Sequence, residues 1–190
     1  MAENASYPAR KQKKQKNETW EWVKALIVAL ILALLIRTFL FAPFLVDGSS
    51  MKPTLENGER LIVNKLIYSI KEPKPGDIVV FHATKDKDYI KRVIATAGQT
   101  VQVRNDTLYI NNRPKDEPYL KKSREQAAAQ GMALTDDFGP VTVPQGEMFV
   151  MGDNRGNSTD SRMIGPVRVS SVVGRADIII WPFNKFTFFL

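Results

Sequence analysis

Residues 23–44, VKALIVALILALLIRTFLFAPF, form an apolar run interrupted only by Lys24, Arg37, Thr38 and Pro43. Few folds have room for such a segment. A helix buried in a soluble core would keep a polar stripe, and this run has almost none. As an α-helix it would reach about 33 Å, enough for the ~30 Å hydrocarbon layer of a bilayer. Trp20 and Trp22 stand where an interfacial aromatic belt belongs, and Lys24 and Arg37 lie near enough to the ends to reach headgroups. A cleavable leader would have a shorter core followed by small residues, whereas FAPFLVDG is bulky. The expectation is one retained transmembrane helix over residues 20–43. Arg10, Lys11, Lys13, Lys14 and Lys16 precede it, while the twenty residues after it hold only Lys52 and Arg60. The positive-inside rule then makes residues 1–19 a cytoplasmic basic tail, able to touch anionic phospholipid, and residues 44–190 an exported domain.

The net charge of +7 raises the question of nucleic acid. The tail to residue 19 carries +3 of it, and the rest is scattered without a basic–aromatic block, so no nucleic-acid partner is expected. The absence of cysteine excludes a disulfide scaffold and a cysteine-ligated zinc site.

Beyond the run the texture changes to short apolar stretches separated by Gly, Pro, Asn and Asp. RLIVNKLIY, GDIVVFHA, YIKRVIATAG, TVQVRNDTLYINNRP, EMFVMGD and VVGRADIIIWPF are strand-sized and rich in β-branched and aromatic residues. A hairpin is expected to fold at Asn105-Asp106. Residues 121–137 are polar, without a clean apolar stripe, and read as a helical or irregular surface excursion. The fold class is therefore mainly β, one domain of antiparallel sheets with a small insertion or cap within residues 102–142. The aromatic end, WPFNKFTFFL, reads equally as a core strand or an exposed apolar surface.

Three stretches could carry chemistry. The first is Ser49-Ser50-Met51-Lys52-Pro53-Thr54, a proline-fixed turn just after the apolar run, which also reads as an ordinary linker. The second is DYIKRVI, residues 88–94. As a strand it would put Tyr89, Lys91 and Val93 on one face and Ile90, Arg92 and Ile94 on the other. Both cations could simply reach solvent. If one were buried, desolvation would lower a lysine pKa and leave a neutral amine able to accept a serine proton, which arginine cannot do. Lys91 is thus the candidate base and Arg92 a candidate structural ion pair. The third is MGDNRGNSTDSR, residues 151–162, a polar loop. It is not a calcium loop, since Arg155 occupies a ligand position and Ile164 stands where the closing glutamate belongs.

Together, in this order after one apolar span, SMKPTL, RLIVNK, GDIVVF, YIKR and GDNRGNSTDSR resemble the type I signal peptidases, peptidase family S26, in their Gram-positive form. The resemblance runs from the apolar segment to about Gly174. It implies a membrane-anchored serine endopeptidase that removes signal peptides from secreted preproteins after an Ala-x-Ala-type site, without metal or cofactor. It makes Ser50, directly before Met51, the nucleophile rather than Ser49, and Lys91 the general base. Ser158 would orient the lysine, Asp153 would pair with Arg92, and Asp160 with Arg162. Gly48 replaces a serine that in proteobacterial relatives helps bind the oxyanion, leaving the Ser50 amide as the chief donor. Phe44, Val46, Leu55 and Ile90 would line shallow pockets for an extended peptide adding to a strand edge. His82 would be exposed and uninvolved. Preproteins, phospholipid and the protein-export machinery are the implied partners. A self-cleaving Ser–Lys protease and a silent adaptor domain are the competing readings.

Overall fold

The computed structural model describes residues 18–36 and 40–189. The basic tail therefore lies, apart from its last two residues, outside the described residues. Two compact units are present, residues 1–36 and residues 37–190.

The first unit is one helix, α1, Glu18–Leu35. Its large apolar side chains, among them Trp22, Leu26, Leu30 and Leu34, are exposed. Glu18, Glu21 and Lys24 occupy its first two turns, with Lys24 Nζ 3.3 Å from Glu21 Oε1. Among the described residues no helix is long and apolar enough to cross a membrane.

The apolar run is not helical throughout, so the expected helix to residue 43 is too long. Phe41–Leu45 is a strand, β1, antiparallel to β2, Arg60–Asn64. The cause is Pro43, which cannot donate within a helix but is tolerated on an edge strand, and β1 ends the sheet. Apolar composition does not distinguish the two states; the proline does.

The second unit is mainly β. Its further strands are β3 (Ile78–His82), β4 (Asp88–Thr96), β5 (Thr100–Arg104), β6 (Thr107–Ile110), β7 (Arg113–Pro114), β8 (Phe138–Thr142), β9 (Glu147–Met151), β10 (Val167–Arg168), β11 (Val172–Trp181) and β12 (Thr187–Phe188). Short helices α2 (Ile67–Ile70), α3 (Lys121–Ala129) and α4 (Ser161–Ile164) connect them. One sheet has the order β1-β2-β11-β3-β4-β9-β10, with β12 added to β11; the other has the order β7-β6-β5-β8. The ladders are antiparallel. The four-stranded sheet is built entirely from residues 100–142.

The β5–β6 hairpin turns at Asn105 and Asp106, both with positive φ (49° and 57°), as a two-residue turn matched to strand twist requires. Within residues 121–137, α3 buries none of its residues, but the stretch is not wholly a surface excursion, because Thr135 is buried. Strand β11 passes so close to β2 that a Cβ at Gly174 would meet the Asn64 carbonyl at 2.4 Å. Near the C-terminus, Trp181, Phe183, Phe186 and Phe188 are exposed, while Phe189 packs on the core.

That core cluster holds Val46, Met51, Leu55, Leu61, Ile78, Ala176 and Ile179, with Ile90 packed against it. Burial of two side chains from the Ser49–Leu55 turn, Met51 and Leu55, seats the turn on the sheet. At ~1.5–3 kcal/mol for each large apolar side chain, those two anchor it firmly.

Candidate active site

The turn carrying the serines is held from both ends. Val46 N donates to Glu59 O at 2.8 Å, and Gly58 N returns to Val46 O at 2.8 Å. At Gly48 the backbone takes φ +113°, a region glycine enters without steric cost, and its N–H donates to Asn57 Oδ1 at 2.8 Å. The chain then closes on itself through Lys52 N to Ser49 O (3.1 Å) and Leu55 N to Met51 O (3.0 Å). Among the described residues no acceptor is hydrogen-bonded to the Ser50 amide.

Strand β4 brings up the lysine. Its register with β3 sets Lys91 opposite the fully buried Val79. Lys91 is 3 % exposed, and its Nζ donates to Ser50 Oγ at 2.8 Å and to Ile90 O at 3.0 Å. The Tyr89 ring lies on the same face, 4.9 Å from Nζ. Among the described residues no carboxylate is close enough for an ion pair. Burial therefore dominates and lowers the lysine pKa to about 8, against a smaller opposing pull from Asp160 and Asp153.

Arg92 faces the other way and is fully matched. Its Nε donates to Asp153 Oδ1 at 2.9 Å and Nη2 to Oδ2 at 2.6 Å, a two-point pair, while Nη1 donates to Gly76 O at 3.0 Å. Thr54 Oγ1 donates to the same aspartate, so the serine turn and β4 share one buried carboxylate. Asp160 pairs with Arg162 through Nε (2.9 Å) and Nη2 (2.8 Å) and accepts from Gly152 N at 2.9 Å. Burial alone would raise the Asp160 pKa, but those donors outweigh it and hold the carboxyl below its ordinary range.

The loop after β9 closes over the serine turn. Asn154 N donates to Ser50 O at 2.9 Å, Asn154 Nδ2 to Ser49 O at 3.0 Å, and Asn157 Nδ2 to Ser49 Oγ at 2.9 Å. A Cβ at Gly152 would meet Ser50 O at 2.4 Å and Ser158 Oγ at 2.2 Å, so only glycine admits this approach. Ser158 is thus beside the serine turn. Its buried Oγ makes no well-formed hydrogen bond, to Lys91 or otherwise, though it is near enough to help keep Asp160 charged.

A groove of about 320 Å³ opens at Ser50 and Lys91, lined in part by Phe44, Val46, Gly48, Met51, Tyr89 and Ile90. Leu55 is not on this surface; it is fully buried in the core behind the turn. His82 is exposed and lies 2.6 Å from Asp88 through Nδ1. Among the described residues no group of His, Asp or Glu could hold a metal ion. Sequence reasoning did not single out Thr54, Gly152, Asn154 or Asn157. The last three stand in the GDNRGNSTDSR box, whose density of Asn and Gly was the available signal.

A family model described as signal peptidase, peptidase S26, matches residues 19–181. This chain belongs to the type I signal peptidases. It is 50 % identical over 188 residues to signal peptidase I T of Bacillus subtilis (strain 168), covering 97 % of each chain. To signal peptidase I of Bacillus licheniformis it is 51 % identical over 177 residues, covering 92 % of this chain and 95 % of that one. The crystal structure of a signal peptidase I from Enterococcus faecalis V583 matches with TM-score 0.51 and 38 % identity, covering 56 % of this peptidase and 97 % of that chain. The peptidase is accordingly a Gram-positive type I enzyme, a serine-protease hydrolase that acts on signal-peptide-bearing preproteins.

Proposed function

We propose that Ser50 is the nucleophile and Lys91 its general base. The observation that carries this reading is the 2.8 Å contact between Ser50 Oγ and an amine that is buried without a counterion among the described residues. With its pKa lowered to about 8, a useful fraction of Lys91 is uncharged near neutrality. The neutral amine takes the Ser50 proton as Oγ attacks the scissile carbonyl, then returns it to the departing amine of the mature chain. Water, deprotonated by the same amine, releases the signal peptide from Ser50. The free Ser50 amide donates to the oxyanion, with Gly48 supplying backbone shape and no side-chain donor. Ser158 offers an unused acceptor for the ammonium that forms. Arg92–Asp153 and Asp160–Arg162 hold the two sides of the site.

The substrate binds as an extended strand along the groove. Its apolar lining, Phe44, Val46 and Ile90, favours small apolar residues, which accounts for an Ala-x-Ala-type cleavage site. The helix α1, Glu18–Leu35, attaches the peptidase to membrane phospholipid: its exposed side chains from Trp22 to Leu35 are apolar on nearly every side, and the flanking charge in the sequence keeps the tail cytoplasmic and the catalytic domain outside. In that position the export machinery delivers the preprotein, and the exposed Trp181–Phe188 cluster rests against lipid.

Cleavage of a purified preprotein by the full chain in vesicles tests the assignment. Ser50→Ala and Lys91→Ala should each reduce the rate by about 10³-fold or more, while Ser49→Ala keeps most of it. Activity that survives Ser50→Ala but not Ser49→Ala would move the nucleophile by one residue. Full activity in both would leave the dyad unsupported.

A further inference from the structure

Two charged residues that the reaction above does not use are buried together: Glu117 and Arg155, each 2 % exposed. Glu117 stands in the segment between β7 and α3, from the stretch that builds the four-stranded sheet. Arg155 belongs to the loop after β9, in the eight-stranded sheet. Arg155 Nη2 donates to Glu117 Oε1 at 2.5 Å and Nη1 to Oε2 at 3.3 Å. Tyr119 OH (2.8 Å) and Arg124 Nη2 (3.2 Å) also donate to this carboxylate. The same guanidinium reaches back through Nε to Gly152 O at 3.0 Å, spanning the loop it sits in. The Tyr119 ring lies against the Arg92 guanidinium, 3.9 Å from its centroid, so the cluster also touches the pair behind Lys91.

A buried ion pair is a poor source of stability, because desolvation of both ions offsets their attraction; what such a pair fixes well is geometry. Arg155 is flanked by the groups that hold the serine turn: Asn154 bonds the Ser49 and Ser50 carbonyls, and Asn157 bonds Ser49 Oγ. From these contacts we infer that Glu117 is a positioning residue for the nucleophile. Through Arg155 it fixes the loop whose Asn154 grips the Ser49–Ser50 backbone. It touches neither Ser50 nor Lys91. The inference rests on the reading of Ser50 as nucleophile.

The full chain, assayed on a preprotein in vesicles, separates this role from simple bracing between sheets. In Glu117→Gln, kcat should fall about tenfold or more with KM within about twofold, and the pH midpoint should stay in place because Lys91 is untouched. Glu117→Asp, which keeps the charge on a shorter arm, should recover part of the loss. Asn154→Ala should lower kcat by itself, and adding Glu117→Gln to it should cost less than about twofold more, because both act on one path. Wild-type kcat in folded Glu117→Gln, or losses that multiply in the double variant, would overturn the inference. If Glu117→Gln does not fold, Glu117→Asp takes its place in the same cycle. Ser50→Ala run alongside separates the two claims: a live Ser50→Ala defeats the nucleophile assignment, whereas a dead one with unimpaired Glu117→Gln defeats only the positioning role.

Discussion

Adjacent residues of β4 bury two cations in opposite ways. On one face Arg92 meets Asp153 through two parallel hydrogen bonds and spends a third donor on Gly76 O. On the other, Lys91 has a serine hydroxyl, a backbone carbonyl and an aromatic face, and among the described residues no carboxylate pairs with it. Arg92 is placed to remain an ion, and Lys91 to stop being one. The difference teaches why strand alternation matters to the chemistry. Two residues that sequence statistics treat as alike are sorted by the pleat into a scaffold and a base. The carboxylates nearest the lysine are already committed, Asp153 to Arg92 and Asp160 to Arg162, so their pull on its proton is weak.

Breaking the matched side should cost most in stability. Asp153→Asn leaves Arg92 buried without its partner, and unfolding by denaturant should show a loss of about 3–5 kcal/mol. The preprotein cleavage rate should fall with it, since Thr54 of the serine turn shares that carboxylate. An unchanged midpoint would mean that Arg92 finds solvent when released.

Relieving the unmatched side should do the reverse. Lys91→Met removes a desolvated amine while keeping an unbranched apolar chain only one atom shorter. The folded-state pKa of about 8 lies below the ordinary 10.5, so the unfolded chain binds more protons between those values and wild-type stability rises with pH across that window. Below pH 8 the full penalty of about 3 kcal/mol applies, from roughly 1.4 kcal/mol per pKa unit. Lys91→Met should therefore be more stable than wild type at pH 7, by up to about that amount, and inactive. The gain should shrink toward zero as pH approaches 10.5. A variant less stable at every pH would show that the amine is comfortably solvated.

Much of this arrangement was legible in the residues. Short β-branched runs gave the strands, Asn105-Asp106 gave a hairpin because both residues tolerate positive φ, and the alternation in DYIKRVI separated Lys91 from Arg92. Three features were not legible, each for a physical reason. Phe41–Leu45 is as apolar as the helix before it, so hydropathy alone ran the two together, although Pro43 marked the break. Leu55 was expected as a pocket wall only because the family resemblance implied it; here the turn points it into the core, and only the tertiary path shows that. Glu117 sits in NRPKDEPYL among other charges, 38 positions from Arg155. No periodicity or motif announces that one of its acidic residues closes a buried pair across two sheets.

The central claim is that burial keeps the Lys91 amine partly uncharged near neutrality beside Ser50 Oγ. Titration of the labelled Lys91 side chain by NMR, in full-length Ser50→Ala to prevent turnover, tests it most directly. The account predicts a midpoint near pH 8, well apart from the surface lysines. A midpoint at or above the ordinary 10.5 would contradict it, because the amine would then be an ammonium throughout the working range and unable to accept the serine proton.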